Sequence, residues 1–283
     1  MPRPPKLAIF DVDGTIAQRG IVDSEALAGI QHLQDTGCIT TVSTGRGYQS
    51  LRSVFGANYQ KVITKNALIV VEHGTKIVNR DGFVEFGAYF SESEKEHTID
   101  FARANIGIIS WAMVTSDEPN ERNIVICFDV HKVQELNEKY SDYMNVSAGS
   151  IGEFRTVVMS QPITTIKFAL HRFVTVENLK LTLTKTDISI IFQDGYMEFV
   201  KNNVNKGLAV SYIANKFGIT MDSVLVAGNA INDVEMLDIG AGTAVLVGPD
   251  AEREAIRSYL SMPETLTQVK SPSDLGKYLQ KLG

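Results

Sequence analysis

Leu7-Ala8-Ile9-Phe10-Asp11-Val12-Asp13-Gly14-Thr15 is the stretch whose reading decides the fold. Leu7 to Phe10 run apolar without a break, as in a strand buried on both faces of a parallel sheet. Asp11 to Thr15 then end the strand in a turn. Downstream, Asp23 or Ser24 can cap a helix carrying Leu27, Ile30 and Leu33, and Gly37 can close it. The β-branched run Ile39 to Ser43 follows, ending at Thr44-Gly45-Arg46. Strand, helix, strand in that order is a βαβ unit, so the N-terminal part reads as α/β.

The texture changes further on. Val62-Ile63 reads as a short strand, and Leu68 to Val78 as a hairpin about His73-Gly74. Glu92 to Ala104 is a polar helix. Ile124 to Phe128, Ile163 to Leu170 and Ile188 to Phe192 are strands, with helical segments at Val130 to Tyr140 and Val176 to Leu183. The βα pattern resumes with Asn205 capping a helix that carries Leu208, Tyr212 and Ile213 and stops at Gly218. Val224 to Ala227 and Ala244 to Val247 are buried strands. The expected architecture is therefore α/β: a Rossmann-like parallel-sheet core made of residues 1–84 and 196–283, interrupted by an α+β insertion at 85–195.

Composition narrows the class. Of 283 residues, 44% are hydrophobic and 21% charged, which excludes disordered and fibrous chains. Lys and Arg total 27 against 33 Asp and Glu, a net charge of −6. So mildly acidic a chain is not expected to bind nucleic acid or a membrane surface non-specifically, and it holds an anion only through a few placed cations or a metal. Cys38 and Cys127 give neither a disulfide framework nor a zinc spacing. The polar, Pro-rich start is no signal peptide, and no apolar run reaches the roughly 20 residues of a membrane helix. The expectation is a soluble, cytoplasmic protein of unspecified oligomeric state.

Three polar clusters each follow an apolar run: Asp11 to Thr15, Ser43 to Arg46 and Gly228 to Asp233. In an open parallel sheet the carboxyl ends of the strands form the ligand crevice, so segments distant in sequence meet there. Asp11 and Asp13 at a buried strand end repel each other and lose solvation. They fit a magnesium site with an acid/base residue, or an Asp-Gly turn that contains a second Asp. A calcium loop fails, because its sixth and twelfth positions fall on Ile16 and Val22. Thr44-Gly45-Arg46 fits a phosphate oxygen at a helix start, or an ordinary polar turn. Taken singly, Lys206 reads as a solvated surface lysine, although the helix dipole disfavours a cation in that first turn. Asn229, Asn232 and Asp233 are hard oxygen donors, or a Gly-Asn turn followed by a helix cap. The five histidines make no metal-spaced pair, Trp111 reads as core or pocket wall, and no Ser-His-Asp order emerges.

Asp-x-Asp-Gly-Thr after one strand, Thr-Gly-Arg after a second, Lys-Gly opening a helix, and Gly-x-x-x-Asn-Asp after another strand occur here in sequence. Together they resemble the haloacid dehalogenase superfamily of phosphatases, in the Cof-like and sucrose-phosphatase-like branch that carries a large α+β cap at this position. The resemblance implies that Asp11 is the nucleophile and forms an aspartyl-phosphate. Asp13 would protonate the leaving oxygen and then activate water. Thr44 and Asn232 would contact the phosphoryl group, with Gly45 and Arg46 beside them, and Lys206 would neutralise it. Mg²⁺ would be held by Asp11, the Asp13 carbonyl and Asn229, with Asp233 nearby as ligand or acceptor. The implied reaction is Mg²⁺-dependent hydrolysis of a small phosphorylated metabolite such as a sugar phosphate. A phosphomutase and a weakly catalytic phosphate-binding protein are the alternatives. Two departures stand out: the family's last motif usually has Asp where Asn229 stands, and its Asn-Gly after the third strand is matched here to Asn66-Ala67.

Overall fold

The structure is a computed structural model that describes residues 4–115, 117–118, 121–171, 179, 187–193 and 195–282. The chain forms two compact units, one from Met1–Phe86 with Val204–Gly283 and one from Gly87–Asn203.

The first unit is built on a parallel sheet in the order Thr267–Val269, Thr243–Val247, Val224–Gly228, Leu7–Phe10, Ile39–Val42. Leu7–Phe10 is buried at every position, as its unbroken apolar run predicts. Its alternate residues feed opposite layers. Ala8 and Phe10 pack with Ile30 and Leu33 of the helix Ser24–Asp35 and with Leu275 and Leu279 of the helix Pro272–Leu279. Leu7 and Ile9 pack with Val210 and Ile213 of the helix Lys206–Lys216. Phe10 is fully buried, and its truncation to Ala costs about 3–5 kcal/mol. Asp23 caps the first helix by accepting from Glu25 N and Ala26 N. Because Val224–Gly228 and Ile39–Val42 flank Leu7–Phe10 in parallel, the three polar clusters leave the sheet at adjacent strand ends.

Several expectations need correcting. Val62 closes a short helix, Tyr59–Val62, rather than a strand, since a brief apolar run does not distinguish a buried turn of helix from a strand. The segment beside Ile39–Val42 is Leu68–Val71, joined to it through a Ser43–Val70 bridge and paired antiparallel with Lys76–Asn79. Asn66-Ala67 leads directly into Leu68–Val71, and His73-Gly74 sits at its far end. On the helix Lys206–Lys216, Ile213 is buried, but Leu208 and Tyr212 are exposed, and the small residues Ala209 and Ala214 face the core in their place.

The second unit is a six-stranded sheet in the order Met144–Ala148, Asn123–Cys127, Ile109–Val114, Thr165–Leu170, Tyr196–Lys201, Ile188–Gln193. Apart from the first pair, neighbours run antiparallel. Phe101 of the helix Glu92–Ala104 and Phe154 of the helix Ile151–Ser160 meet Phe168 and Phe199 of the sheet, with ring centroids 4.8–5.8 Å apart. Both helices start with a capping box, Ser91 with Glu94 and Ser150 with Glu153. Tyr196–Lys201 lies in this sheet, so a boundary at residue 196 falls inside a hairpin. Gly195, at φ +84°, is the turn of that hairpin and not a linker. The helix expected at Val176 to Leu183 lies outside the described residues, apart from Leu179.

Candidate active site

Asp11 follows the central strand directly, and its amide donates to Ala227 O at 2.8 Å, so the strand pairing fixes its backbone. The side chain is 8% exposed. Lys206 Nζ donates to Asp11 Oδ1 at 2.6 Å and to Asp233 Oδ1 at 2.6 Å. Lys206 is 1% exposed, which rules out the solvated surface lysine that its position alone implied. The two carboxylates explain a cation in the first turn of a helix. Burial opposes its charge, but attraction to Asp11 and Asp233 outweighs that and raises the ammonium pKa. Asn205 caps this helix by accepting from Leu208 N at 2.8 Å.

Burial pushes the Asp11 carboxyl up to about 7, with Asp233 adding to the shift and Lys206 opposing it. Thr15, wholly buried, donates its hydroxyl to Asp11 Oδ2 at 3.1 Å. The Asn229 amide closes the same side. Turned so that its NH₂ faces the acceptors, it donates to Asp13 O at 2.8 Å, Thr15 Oγ1 at 3.0 Å and Asp11 Oδ2 at 3.1 Å. Gly14 adopts φ +87°, and a Cβ there would fall 2.2 Å from that amide, so only glycine serves at this turn.

Asp233 is fully buried and both its oxygens are engaged. Oδ1 accepts from Lys206, while Oδ2 accepts from Asn229 N at 2.9 Å and Ala230 N at 3.0 Å. With these bonds Asp233 holds both the loop and the lysine. The strand-end turn and the cap-like carboxylate are thus one feature.

The Asp13 carboxylate lies apart from this cluster, with its side chain 46% exposed. Arg46 grips it with a two-pronged pair, Nε to Oδ2 at 2.6 Å and Nη2 to Oδ1 at 2.8 Å, and donates from Nη1 to Ser50 Oγ at 3.0 Å. Thr44 is buried. Its hydroxyl accepts from Arg46 N at 3.1 Å and keeps its own O–H for a second partner. Gly45 lies against the His73 ring, where a Cβ would fall 2.3 Å from the imidazole. Asn232 is half-buried, and its side-chain oxygen has no hydrogen-bond partner among the described residues.

The structure therefore joins Asp11, Lys206, Asp233 and Asn229 by direct bonds, and Asp13 to Arg46, while Asn232 is bonded to none of them. The sequence marks Glu72–Gly74 only as a hairpin turn and gives no sign of its place at the site. Glu72 N donates to Arg46 O and His73 N to Thr44 O, both at 3.0 Å, so this loop holds the Thr-Gly-Arg turn in place. Its signal is conformational: Glu72 and His73 take φ +52° and +58°, a region residues with a side chain seldom adopt.

A sequence model of haloacid dehalogenase-like hydrolases matches residues 8–255. The chain is 24% identical over 265 residues to the 5-amino-6-(5-phospho-D-ribitylamino)uracil phosphatase YitU of Bacillus subtilis strain 168, covering 88% of this chain and 90% of that one. It is 22% identical over 242 residues to the HMP-PP phosphatase of Yersinia pseudotuberculosis, covering 84% and 82%. In fold it is similar to TM0651 from Thermotoga maritima, with a TM-score of 0.74 at 16% identity over 99% of this chain and 98% of that one. The sugar phosphatase BT4131 superposes with a TM-score of 0.70 at 14% identity over 97% and 98%. The matched span takes in the strand ends, Lys206 and the whole inserted unit, and the chain belongs to the haloacid dehalogenase-like hydrolases.

Proposed function

We propose that the protein is a phosphatase that hydrolyses a small phosphorylated metabolite through an aspartyl-phosphate on Asp11. The observation that carries this reading is the buried contact of Asp11 with Lys206, 2.6 Å, at the end of the central strand. A carboxylate attacks a phosphate dianion poorly because like charges repel, and a buried ammonium in contact with it lowers that barrier. The curated relatives are named for a ribitylaminouracil phosphate and HMP-PP, and one fold neighbour for sugar phosphates, which supports a small phosphorylated substrate. We assign substrate selection to the inserted unit, Gly87–Asn203.

Asp11 supplies an oxygen to phosphorus as the ester P–O bond breaks, and the leaving oxygen takes a proton from Asp13. Asp13 then takes a proton from water as that water attacks phosphorus. The bond to Asp11 breaks and the carboxylate is restored. Thr44 O–H donates to a phosphoryl oxygen, and Lys206 stays charged beside Asp11. The Arg46 fork holds Asp13 by both oxygens, so Asp13 must be released from it, at least in part, to handle a proton.

The family implies Mg²⁺. Asp11 Oδ2 and the Asp13 carbonyl converge on the Asn229 amide, whose oxygen is a third hard donor. This donor set fits the ion, with Asp11, the Asp13 carbonyl and Asn229 as the residues that would hold it. When bound, Mg²⁺ supplies charge neutralisation between carboxylate and phosphate. The test is phosphate release over a panel of phosphomonoesters, including sugar phosphates and phosphorylated ribitylaminouracil, with Mg²⁺ and with EDTA. Mg²⁺-dependent release is the expected result. No release from any ester, alongside saturable binding of one, would replace the phosphatase with a binding protein.

A further inference from the structure

Asn229 faces three oxygens in the structure: Asp13 O at 2.8 Å, Thr15 Oγ1 at 3.0 Å and Asp11 Oδ2 at 3.1 Å. A peptide carbonyl and a carboxylate only accept hydrogen bonds. Without a cation among them, an amide oxygen pointed at these atoms would oppose lone pair to lone pair, so the orientation that makes hydrogen bonds is the one with the NH₂ face inward. The amide is packed against Gly14, which leaves no room for a Cβ beside it. Its two protons thus supply partial positive charge where the Asp11 carboxylate and the Asp13 carbonyl concentrate negative potential. Those two oxygens are the ones assigned above to a cation.

We propose that Asn229 is a two-faced residue that stands in for the cation: its NH₂ satisfies Asp11 and the Asp13 carbonyl in the metal-free protein, and metal entry requires the amide to turn and offer Oδ1. This rests on the reading of Asp11 and the Asp13 carbonyl as cation ligands. An aspartate at position 229 has no donor face. Without metal it would set a further carboxylate, in addition to Asp233, against Asp11, so its protein would depend on the ion to relieve that repulsion. Asparagine frees the empty site from that dependence, and the ion must displace hydrogen bonds that are already made.

The test reads the amide and the metal directly, with Mg²⁺ alone as probe and full-length protein. Side-chain NH₂ resonances of ¹⁵N-labelled asparagine are followed through a Mg²⁺ titration, with the Asn229 pair assigned by its loss in Asn229→Asp. Calorimetry and thermal melts in EDTA and in Mg²⁺ are run on both proteins. The Asn229 NH₂ pair should shift as Mg²⁺ saturates. Asn229→Asp should melt below wild type in EDTA, gain more from Mg²⁺, and bind it on the order of tenfold tighter. Mg²⁺ binding that leaves the Asn229 resonances unmoved overturns the stand-in role and leaves the cation site standing. Absence of binding to either protein overturns both. If the Asp variant does not fold, the wild-type titration still decides, with the NH₂ pair assigned by Asn229→Gln.

Discussion

Arg46 holds Asp13 through both carboxylate oxygens, at 2.6 and 2.8 Å, so the residue assigned to proton transfer is gripped by the turn assigned to phosphate. Arg46 is 28% exposed and Asp13 46%, so solvent screens the pair and it contributes about 1 kcal/mol or less to stability. Its value lies in orientation, because a planar fork fixes a carboxylate plane in a way a single ammonium does not. Arg46→Lys should melt within a degree or two of wild type while kcat falls on the order of tenfold, about 1.4 kcal/mol of lost transition-state stabilisation. Steady-state kinetics and a thermal melt on the same preparation check this. An unchanged kcat would remove Arg46 from the positioning role.

Asp11→Asn and Asp13→Asn should fail differently. The first loses the attacking oxygen, so phosphate release should drop at least 10³-fold on every ester. The second should still accept a phosphoryl group from an ester with a good leaving group, since such a group needs no proton. The phosphorylated protein should then accumulate and be visible by intact mass. Equal activity of Asp13→Asn on activated and natural esters would exclude Asp13 as the acid.

Lys206→Met removes the cation between two buried carboxylates. Above about pH 7, where Asp11 has released its proton, breaking such a cluster by deleting one partner costs about 3–5 kcal/mol, because uncompensated charge stays behind. The variant should unfold at lower urea and release no phosphate. Adding Asp233→Asn should recover part of the lost stability without restoring activity. A single variant as stable as wild type would mean that Asp11 and Asp233 are not both ionised beside Lys206.

How much of this was legible in the sequence depended on the kind of burial. Leu7–Phe10 and Val224–Gly228 are covered on both faces, and that writes a continuous apolar run. Their polar ends followed, because parallel strands bring their carboxyl ends to one side. Lys206 could not be read as buried, because its partners are 195 and 27 residues away and no local pattern records them. The Arg46 grip on Asp13 likewise spans 33 residues. The expected boundary at 195/196 falls in the hairpin about Gly195, because a glycine turn has one signature inside a sheet and between domains. His73-Gly74 was recognised as a turn, but its task beneath the Thr-Gly-Arg turn required the sheet pairing of Ser43 with Val70.

Gly45→Ala should act through His73. The added methyl would lie 2.3 Å from the imidazole, closer than real contacts allow, so the ring or the Thr-Gly-Arg turn must shift. Overpacking of this kind costs about 1–3 kcal/mol. KM for any substrate should rise more than stability falls, because the displaced turn carries Thr44 and Arg46. Relief of that KM in the double variant Gly45→Ala, His73→Ala would identify the ring as the obstacle. A double variant no better than the single one would place the strain elsewhere.

The last prediction concerns pH and Asp11 in metal-free protein. Burial raises its carboxyl from 3.8 to about 7, so the folded protein binds this proton more tightly than the unfolded chain does. The contribution is fully present below the unfolded value and is lost as pH rises through the folded one, flattening above about 7. Lys206 remains protonated throughout, since Asp11 and Asp233 hold its pKa up against the cost of burial, and it adds no slope in that window. Between about pH 5 and 7.5 in EDTA, wild type should therefore lose stability relative to Asp11→Asn, on the order of 1–3 kcal/mol across the window. Urea unfolding at half-unit steps gives the difference curve directly. A wild-type protein that gains on the variant as pH rises would mean that the Lys206 contact outweighs burial and that Asp11 is ionised well below neutral pH. Its nucleophilic form would then be present without a cation, and the pH dependence of turnover would have to arise at another group.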